Sequence, residues 1–195
     1  MDKKDFKQQW DRCFPNAPLI GHLFRTIFHD RWFRIHSLPE SKRYAEHEAE
    51  MSIILDRQNQ LLTDLFGEDS KIFLVSGDYL WGGIACGSSI EESLNDYHFS
   101  RLDDVDLHQI NAADYDKGDF YSPVFASIYW KAGQHDELLK SIADDQEQAF
   151  FVCFDKNIIA APYDGGMDLI LRDGSTRDFY RNKYRDWLSA SENGL

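Results

Sequence analysis

Two carboxylates and a tyrosine surround a pair of glycines in the stretch Pro162–Asp168, which lies between two apolar runs. Carboxylates and tyrosine hydroxyls transfer protons or bind polar ligands when a fold brings them together. Two interpretations of Tyr163, Asp164 and Asp168 follow. They form either the rim of a site or a polar hairpin turn in which the glycines supply backbone freedom.

Two further groups lie in the run Trp32–His36, whose residues alternate as in a β-strand. Arg34 and His36 share one face of this strand. Together they can bind an anion, or His36 can act as a general base with Asp164 or Asp168 nearby. The alternative is a polar sheet edge, or an arginine that is paired with a carboxylate.

Asp168 lies in the apolar run Met167–Leu171, which also has the pattern of a strand. A carboxylate that points inward from such a strand needs a charged or donor partner, because burial of an unpaired charge is unfavourable. The sequence predicts Arg34 as this partner, since the first strand carries little else that neutralises a carboxylate. The alternative is that Asp168 holds the turn by accepting backbone N–H groups.

The charge of the chain is concentrated in residues 91–147. The whole chain has a net charge of −13, and this segment holds 14 acids and four bases, a balance of −10. Such a field favours a basic protein partner and disfavours nucleic acid or anionic lipid. A solvated surface that keeps the protein soluble is the alternative. The predicted binding residues are Asp103, Asp104, Asp106, Asp114 and Asp116, together with Arg34 and Tyr163.

Three familiar motifs begin in this chain and remain incomplete. The glycines of Gly82–Ser89 have P-loop spacing without the lysine that contacts phosphate. His47 begins an HExxH pattern, but Met51 stands where the second histidine is needed. Asp114–Asp119 resembles the start of a calcium loop, but Phe125 replaces the terminal glutamate. The sequence therefore predicts no metal and no cofactor, and it favours binding over catalysis.

Periodicity predicts a single α+β domain over residues 1–195, with a mostly antiparallel sheet packed against helices. The predicted helices are about Ser41 or Tyr44 to Phe66, the start of a short one at Ser88–Glu92, Gln134–Asp145 and Thr176–Ser189. The predicted strands are Trp32–His36, Lys71–Val75, Val124–Trp130, Ala149–Phe154, Ile158–Pro162 and Met167–Leu171. The short connections between the last three strands favour a three-stranded antiparallel meander.

The cellular location follows from what the sequence lacks. No run approaches the roughly 20 apolar residues that span a bilayer, and the first residues have no apolar signal region. Three cysteines without CxxC spacing are typical of a reduced protein. We therefore expect a cytoplasmic protein with no membrane contact.

Several short motifs occur together along the chain: Trp32, Arg34 and Ile35; Leu55–Asn59; Leu65–Gly67 leading into Lys71–Val75; and Tyr163–Asp168. Together they resemble a family of uncharacterised bacterial proteins that share a domain of unknown function. In that family the hairpin tends to read Tyr-Asp-Asp-Arg-Gly-x-Asp, whereas here it is one residue shorter, with Gly165 in place of Asp-Arg. The resemblance covers roughly residues 30–172 and implies an α+β fold without a known activity.

Two hypotheses follow, and neither specifies an oligomeric state. The leading one is a non-catalytic binding protein whose acidic surface meets a basic partner. A bacterial immunity protein that neutralises a basic toxin is an example, by analogy of size and charge. The rival is a small enzyme or anion-binding protein whose site contains Arg34, His36, Tyr163, Asp164 and Asp168.

Overall fold

Nine β-strands form one continuous sheet in the computed structural model, which describes residues 1–85, 90 and 94–189. The strands are β1 (Trp32–His36), β2 (Lys71–Trp81), β3 (Ile84–Ala85), β4 (Ser100–Arg101), β5 (Val105–Asp106), β6 (Phe120–Tyr129), β7 (Ala149–Cys153), β8 (Ile158–Tyr163) and β9 (Gly166–Ile170). Their order in the sheet is β1-β9-β8-β7-β2-β6-β4, with β3 beside β2 and β5 beside β6. Each pairing is antiparallel. The predicted α+β class and the C-terminal meander are confirmed.

Helices cover both faces of this sheet. They are α1 (Lys3–Cys13), α2 (Phe24–Ile27), α3 (Glu48–Phe66), α4 (Leu107–Ile110), α5 (Asp136–Ala143) and α6 (Gly174–Lys183). Short 3₁₀ turns occupy Gly21–Leu23, Pro39–Ser41 and Arg185–Trp187. In the ranges that the structure describes, no helix combines the length and the apolar character needed to cross a membrane.

The alternation of side chains along each strand divides the core into two layers. On one face of β1, Phe33 and Ile35 pack with buried leucines of α3 and α5. On the other face, Trp32 packs with the cluster that contains the aromatic residues of α1 and α2. Because successive residues of a strand point to opposite sides, Arg34 lies on the same face as Trp32.

Helix α1 belongs to the second core layer. Phe6 and Trp10 are fully buried, and the ring of Phe6 contacts those of Phe73 and Phe125 at centroid distances of 5.5 and 4.2 Å. The indole nitrogen of Trp10 donates to the backbone oxygen of Ala17 at 2.8 Å. The N-terminal helix is therefore an integral part of the packed structure.

The β8–β9 hairpin turns through two residues, Asp164 and Gly165. Neither Gly165 nor Gly166 has a positive φ, so the expectation that they supply unusual backbone freedom is wrong. A Cβ atom on Gly166 would lie 2.0 Å from the backbone oxygen of Ile35. Glycine is required there because β1 passes too close to β9 for any side chain.

Several predicted boundaries differ from the structure, and local contacts explain two of them. Helix α3 begins at Glu48, because the side chain of His47 accepts from the backbone N–H of Glu50 and caps it. Helix α6 begins earlier than expected, because the Asp173 side chain accepts from the backbone N–H of Thr176. It ends at Lys183 rather than Ser189, and its Phe179 side chain is exposed.

The central strands are longer than the sequence pattern predicted. Strand β2 runs to Trp81 rather than ending at Val75, and β6 begins at Phe120. The two strands pair from Lys71–Tyr129 to Leu80–Phe120, and this pairing satisfies the backbone of the added residues. The helix start predicted at Ser88–Glu92, apart from Ile90, and the second half of the incomplete P-loop pattern lie outside the described residues.

Candidate functional site

Arg34 and Asp168 form a two-bonded ion pair between neighbouring strands. They stand opposite each other in the β1–β9 register, and Arg34 Nε and Nη2 donate to Asp168 Oδ1 and Oδ2 at 2.7 and 2.8 Å. The side chains are 14% and 9% exposed. Trp32 Nε1 also donates to Asp168 Oδ1 at 3.0 Å. The pairing predicted from the sequence is confirmed, and the charge of each group is neutralised by the other.

Tyr163 lies against this ion pair. The guanidinium carbon of Arg34 is 4.6 Å from the centroid of the Tyr163 ring, within the range of a cation–π contact. Burial raises the pKa of Tyr163 to about 12, so its hydroxyl keeps its proton at neutral pH. Tyr163 can therefore donate a hydrogen bond to a ligand, but it is not activated as a base.

Asp164 is held by a second arginine, Arg43. Arg43 Nε donates to Asp164 Oδ2 at 2.6 Å, and the side chains are 63% and 4% exposed. Arg43 lies in the connection between β1 and α3, where the sequence shows no pattern that points to a role. The carboxylate that was a candidate base is thus buried and ion-paired.

Both ion pairs line one cavity of about 350 Å³ on the face of the sheet that carries Arg34. We call it the arginine–tyrosine cavity. The residues that line it from other elements include Ile20, His22 and Arg25 near α2, Tyr79 of β2, Tyr121 of β6, Asp145 and Glu147 before β7, and Phe150 of β7. Four of the five candidates for the rival site, all except His36, line this cavity.

His36 shares a face with Arg34 but is absent from the cavity lining. Its side chain is buried, and Nε2 has no hydrogen-bond partner among the described residues. Burial, and then the positive charge of Arg34, lower the pKa of His36. No hydrogen bond joins the imidazole to Asp164 or Asp168 within the described part of the chain, so the predicted acid–base pair is not assembled.

The acidic candidates lie elsewhere, and four of the five already contact other groups of the chain. Asp103 binds Lys3 Nζ at 2.5 Å, and Asp104 accepts from the hydroxyl of Ser122 at 2.6 Å. Asp106 caps α4, and Asp114 accepts from the amide of Asn111 at 2.6 Å. None of these residues, nor Asp116, lines the arginine–tyrosine cavity. The structure therefore separates the two sets of predicted site residues.

An exposed stack of aromatic rings lies beside the loop that carries Asp114 and Asp116. The Trp81 ring stacks with those of Tyr79 and Tyr115, at centroid distances of 5.7 and 6.2 Å. Trp81 is 44% exposed and the nearby Ile84 is 72% exposed. We call the group Trp81, Ile84, Tyr115, Asp114 and Asp116 the acidic–aromatic surface.

A buried carboxylate holds this surface together. Asp119 Oδ1 accepts from the backbone N–H of Gly82 at 2.9 Å, and Oδ2 accepts from that of Asp116 at 2.8 Å. These bonds join the β2–β3 turn to the acidic loop. Asp119 therefore acts as a structural link here. Over the residues that the structure describes, no group of three or more His, Cys, Asp or Glu side chains is placed to hold a metal ion.

Sequence reasoning missed Arg25, Arg43, Tyr79, Trp81 and Glu147. Tyr79 and Trp81 lie in the part of β2 that extends beyond the apolar run, and their alternation after Gly77 was the available signal. The two arginines and Glu147 lie near turns and short helices. Their positions depend on long-range packing, which no local spacing encodes.

Comparison with known proteins identifies one family. A family model for a domain of unknown function, DUF3885, matches residues 20–192. No curated protein and no solved structure matches the chain. The family match includes β1, the C-terminal meander and all residues that line the arginine–tyrosine cavity.

Proposed function

The chain belongs to the family of the domain of unknown function DUF3885, and we propose that this member is a non-catalytic protein that binds a basic partner through the acidic–aromatic surface. The observation that carries this proposal is the exposed Trp81 ring, stacked on Tyr115 beside two acidic residues. A protein of this kind that neutralises a basic toxin is an immunity protein, which is the specific form of the proposal.

The aromatic part of the surface supplies binding energy. Tryptophan and tyrosine are enriched at interfaces, because their rings bury a large apolar area at a low cost in conformational entropy. Trp81 stacks with two neighbouring tyrosine rings, so little freedom is lost when a partner covers it. The face of an indole also attracts lysine ammonium and arginine guanidinium groups.

The charge of the surrounding segment supplies selectivity and speed. Residues 91–147 have a balance of −10, and this field accelerates encounter with a basic protein and repels nucleic acid. Asp114 and Asp116 flank Tyr115 and are exposed. They are therefore placed to contact basic side chains that approach the aromatic stack.

The arginine–tyrosine cavity supports binding rather than catalysis. Asp164 and Asp168 are each neutralised by an arginine, and the pKa of Tyr163 is raised to about 12. A general base needs a pKa near the working pH and access to the substrate proton. Neither of these carboxylates is available in that way, because each is already bonded to its arginine.

A peptide titration tests the proposed surface. We would measure the affinity of the protein for a synthetic nine-residue arginine peptide by fluorescence anisotropy at low and high salt. The expected result is binding that weakens with salt and falls about tenfold or more in Trp81→Ala/Tyr115→Ala. Asp114→Asn/Asp116→Asn should weaken binding at low salt and have less effect at high salt.

The matched control is Glu48→Gln/Asp56→Asn, which removes the same charge from exposed positions on α3. Equal effects of the two double charge variants would mean that net charge, and not this surface, attracts the peptide. An unchanged affinity in Trp81→Ala/Tyr115→Ala would reject the surface as a binding site. If a physiological partner is recovered from host extract, its affinity for the purified protein should fall in the same variants.

A further inference from the structure

The charges of the arginine–tyrosine cavity divide into paired and unpaired groups. Arg34 is bonded to Asp168, and Arg43 to Asp164. Arg25, Asp145 and Glu147 also line the cavity. Asp145 acts on Arg43, because its charge helps to raise the pKa of that guanidinium. Neither Arg25 nor Glu147 forms an ion pair with another described residue, so these two opposite charges remain for a ligand.

These two groups come from different walls. Arg25 lies in α2. The pKa of His22 is lowered mainly by burial and also by the positive charge of Arg25. Glu147 lies in the connection between α5 and β7 and is half-buried. A ligand that satisfies both must carry a negative group as well as a positive group.

Three tyrosine hydroxyls add hydrogen-bonding capacity. Tyr79, Tyr121 and Tyr163 line the cavity, and their hydroxyls bond to no other group in the described ranges. Burial raises the pKa values of Tyr79 and Tyr163 to about 12, so each remains a donor. This unused hydrogen-bonding capacity around one cavity favours a polar ligand.

Size and apolar surface restrict the ligand further. A volume of about 350 Å³ is near the lower limit for small-molecule sites. Ile20, Phe150 and the rings of Tyr79 and Tyr121 provide an apolar part of the wall. The cavity therefore fits a small molecule with two opposite charges and one apolar group.

We propose that the arginine–tyrosine cavity binds a free α-amino acid with an apolar or aromatic side chain, with the carboxylate toward Arg25 and the ammonium toward Glu147. This site shares no residue with the acidic–aromatic surface, although Tyr79 of its wall contacts Trp81, and it requires no protein partner. Charge-assisted hydrogen bonds to the carboxylate and to the ammonium make binding selective for the zwitterion. The apolar side chain of the ligand packs against the tyrosine and phenylalanine rings.

Calorimetric titration of the full chain with L-phenylalanine, L-leucine and L-methionine tests the proposal. The amino acid that binds best is then compared with its N-acetyl derivative, which lacks the ammonium, and its amide, which lacks the carboxylate. Each derivative should bind about tenfold more weakly or worse, because each leaves one protein charge without its partner. Binding of none of the three amino acids by folded protein would overturn the proposal.

Two single variants then test which protein charge binds which charged group of the amino acid. Arg25→Gln should bind the amino acid and its amide with equal affinity, whereas Glu147→Gln should no longer discriminate against the N-acetyl form. The controls Arg12→Gln and Glu137→Gln change exposed charges outside the cavity. They should leave two affinity ratios unchanged: amino acid to amide, and amino acid to N-acetyl derivative. If Arg25→Gln and Glu147→Gln also leave both ratios unchanged, the assigned orientation is wrong and the proposal fails.

Discussion

Arg34 and Asp168 face each other across the β1–β9 pairing and are joined by two parallel hydrogen bonds of 2.7 and 2.8 Å. Both side chains are largely buried. This geometry is the bidentate arrangement in which arginine binds a carboxylate most strongly. The pair joins the first strand of the chain to the last and stands at the edge of the arginine–tyrosine cavity.

Removal of one partner should destabilise the protein more than removal of both. We expect Arg34→Met or Asp168→Leu alone to lower the free energy of unfolding by about 3 kcal/mol, because each leaves a buried charge unpaired. The double variant should lose less than either single variant. Urea denaturation of the parent protein, the two single variants and the double variant measures these free energies. The control Lys7→Gln breaks an exposed ion pair with Asp11 and should lower the free energy of unfolding by less than about 1 kcal/mol. If the losses of the two single variants simply add in the double variant, Arg34 and Asp168 are not coupled.

Gly166 should tolerate no side chain. In Gly166→Ala the new Cβ would lie 2.0 Å from the backbone oxygen of Ile35, so β1 and β9 would have to separate. We expect a loss of about 3 kcal/mol in the free energy of unfolding. Gly174→Ala is the control, since its nearest new contact is an ordinary 3.5 Å. Thermal denaturation with equal midpoints for both variants would show that the two strands are not held at this distance.

His36 should make stability depend on pH. Its pKa is lowered from 6.5 in the folded protein, first by burial, so the unfolded chain binds a proton more readily. The protein should therefore lose stability as the pH falls below 6.5. His36→Phe should show a smaller loss in urea denaturation curves measured on either side of that pH.

Part of the stability loss at low pH should remain in His36→Phe, because burial also lowers the pKa of His22. His29→Phe, which replaces an exposed histidine, should retain the full pH dependence. A second replacement, His36→Gln, separates the effect of titration from that of shape. If both His36 variants keep the parental slope of stability against pH, His36 is not the group responsible.

Helix α1 should be essential for stability although it precedes the range matched by the family model. Phe6 is fully buried among the rings of Phe73, Phe125 and Phe154. Phe6→Ala should cost about 3–5 kcal/mol, because it leaves a cavity in the aromatic layer. The neighbouring exposed Lys4→Ala should change the unfolding free energy little. A small loss in Phe6→Ala would mean that α1 is only loosely docked.

Much of the architecture could be predicted from local patterns. Alternation in Trp32–His36 placed Arg34 on one face, and the short connections near the C-terminus predicted the meander. The electrostatic need of an inward carboxylate predicted that Asp168 pairs with Arg34. These inferences succeed because side-chain period, turn length and charge compensation act within a strand or between adjacent strands.

Local sequence patterns were therefore enough for the α+β class, the terminal meander, the concentrated acidic charge and the partner of Asp168. Three contacts required the folded chain: Arg43 binds Asp164, Tyr79 and Tyr121 border the same cavity, and Trp81 stacks on Tyr115. The fold also separated the acidic candidates from the cavity. The physical reason is that these contacts depend on which distant strands become neighbours in the sheet, and strand order follows from the packing of the whole core rather than from any local spacing.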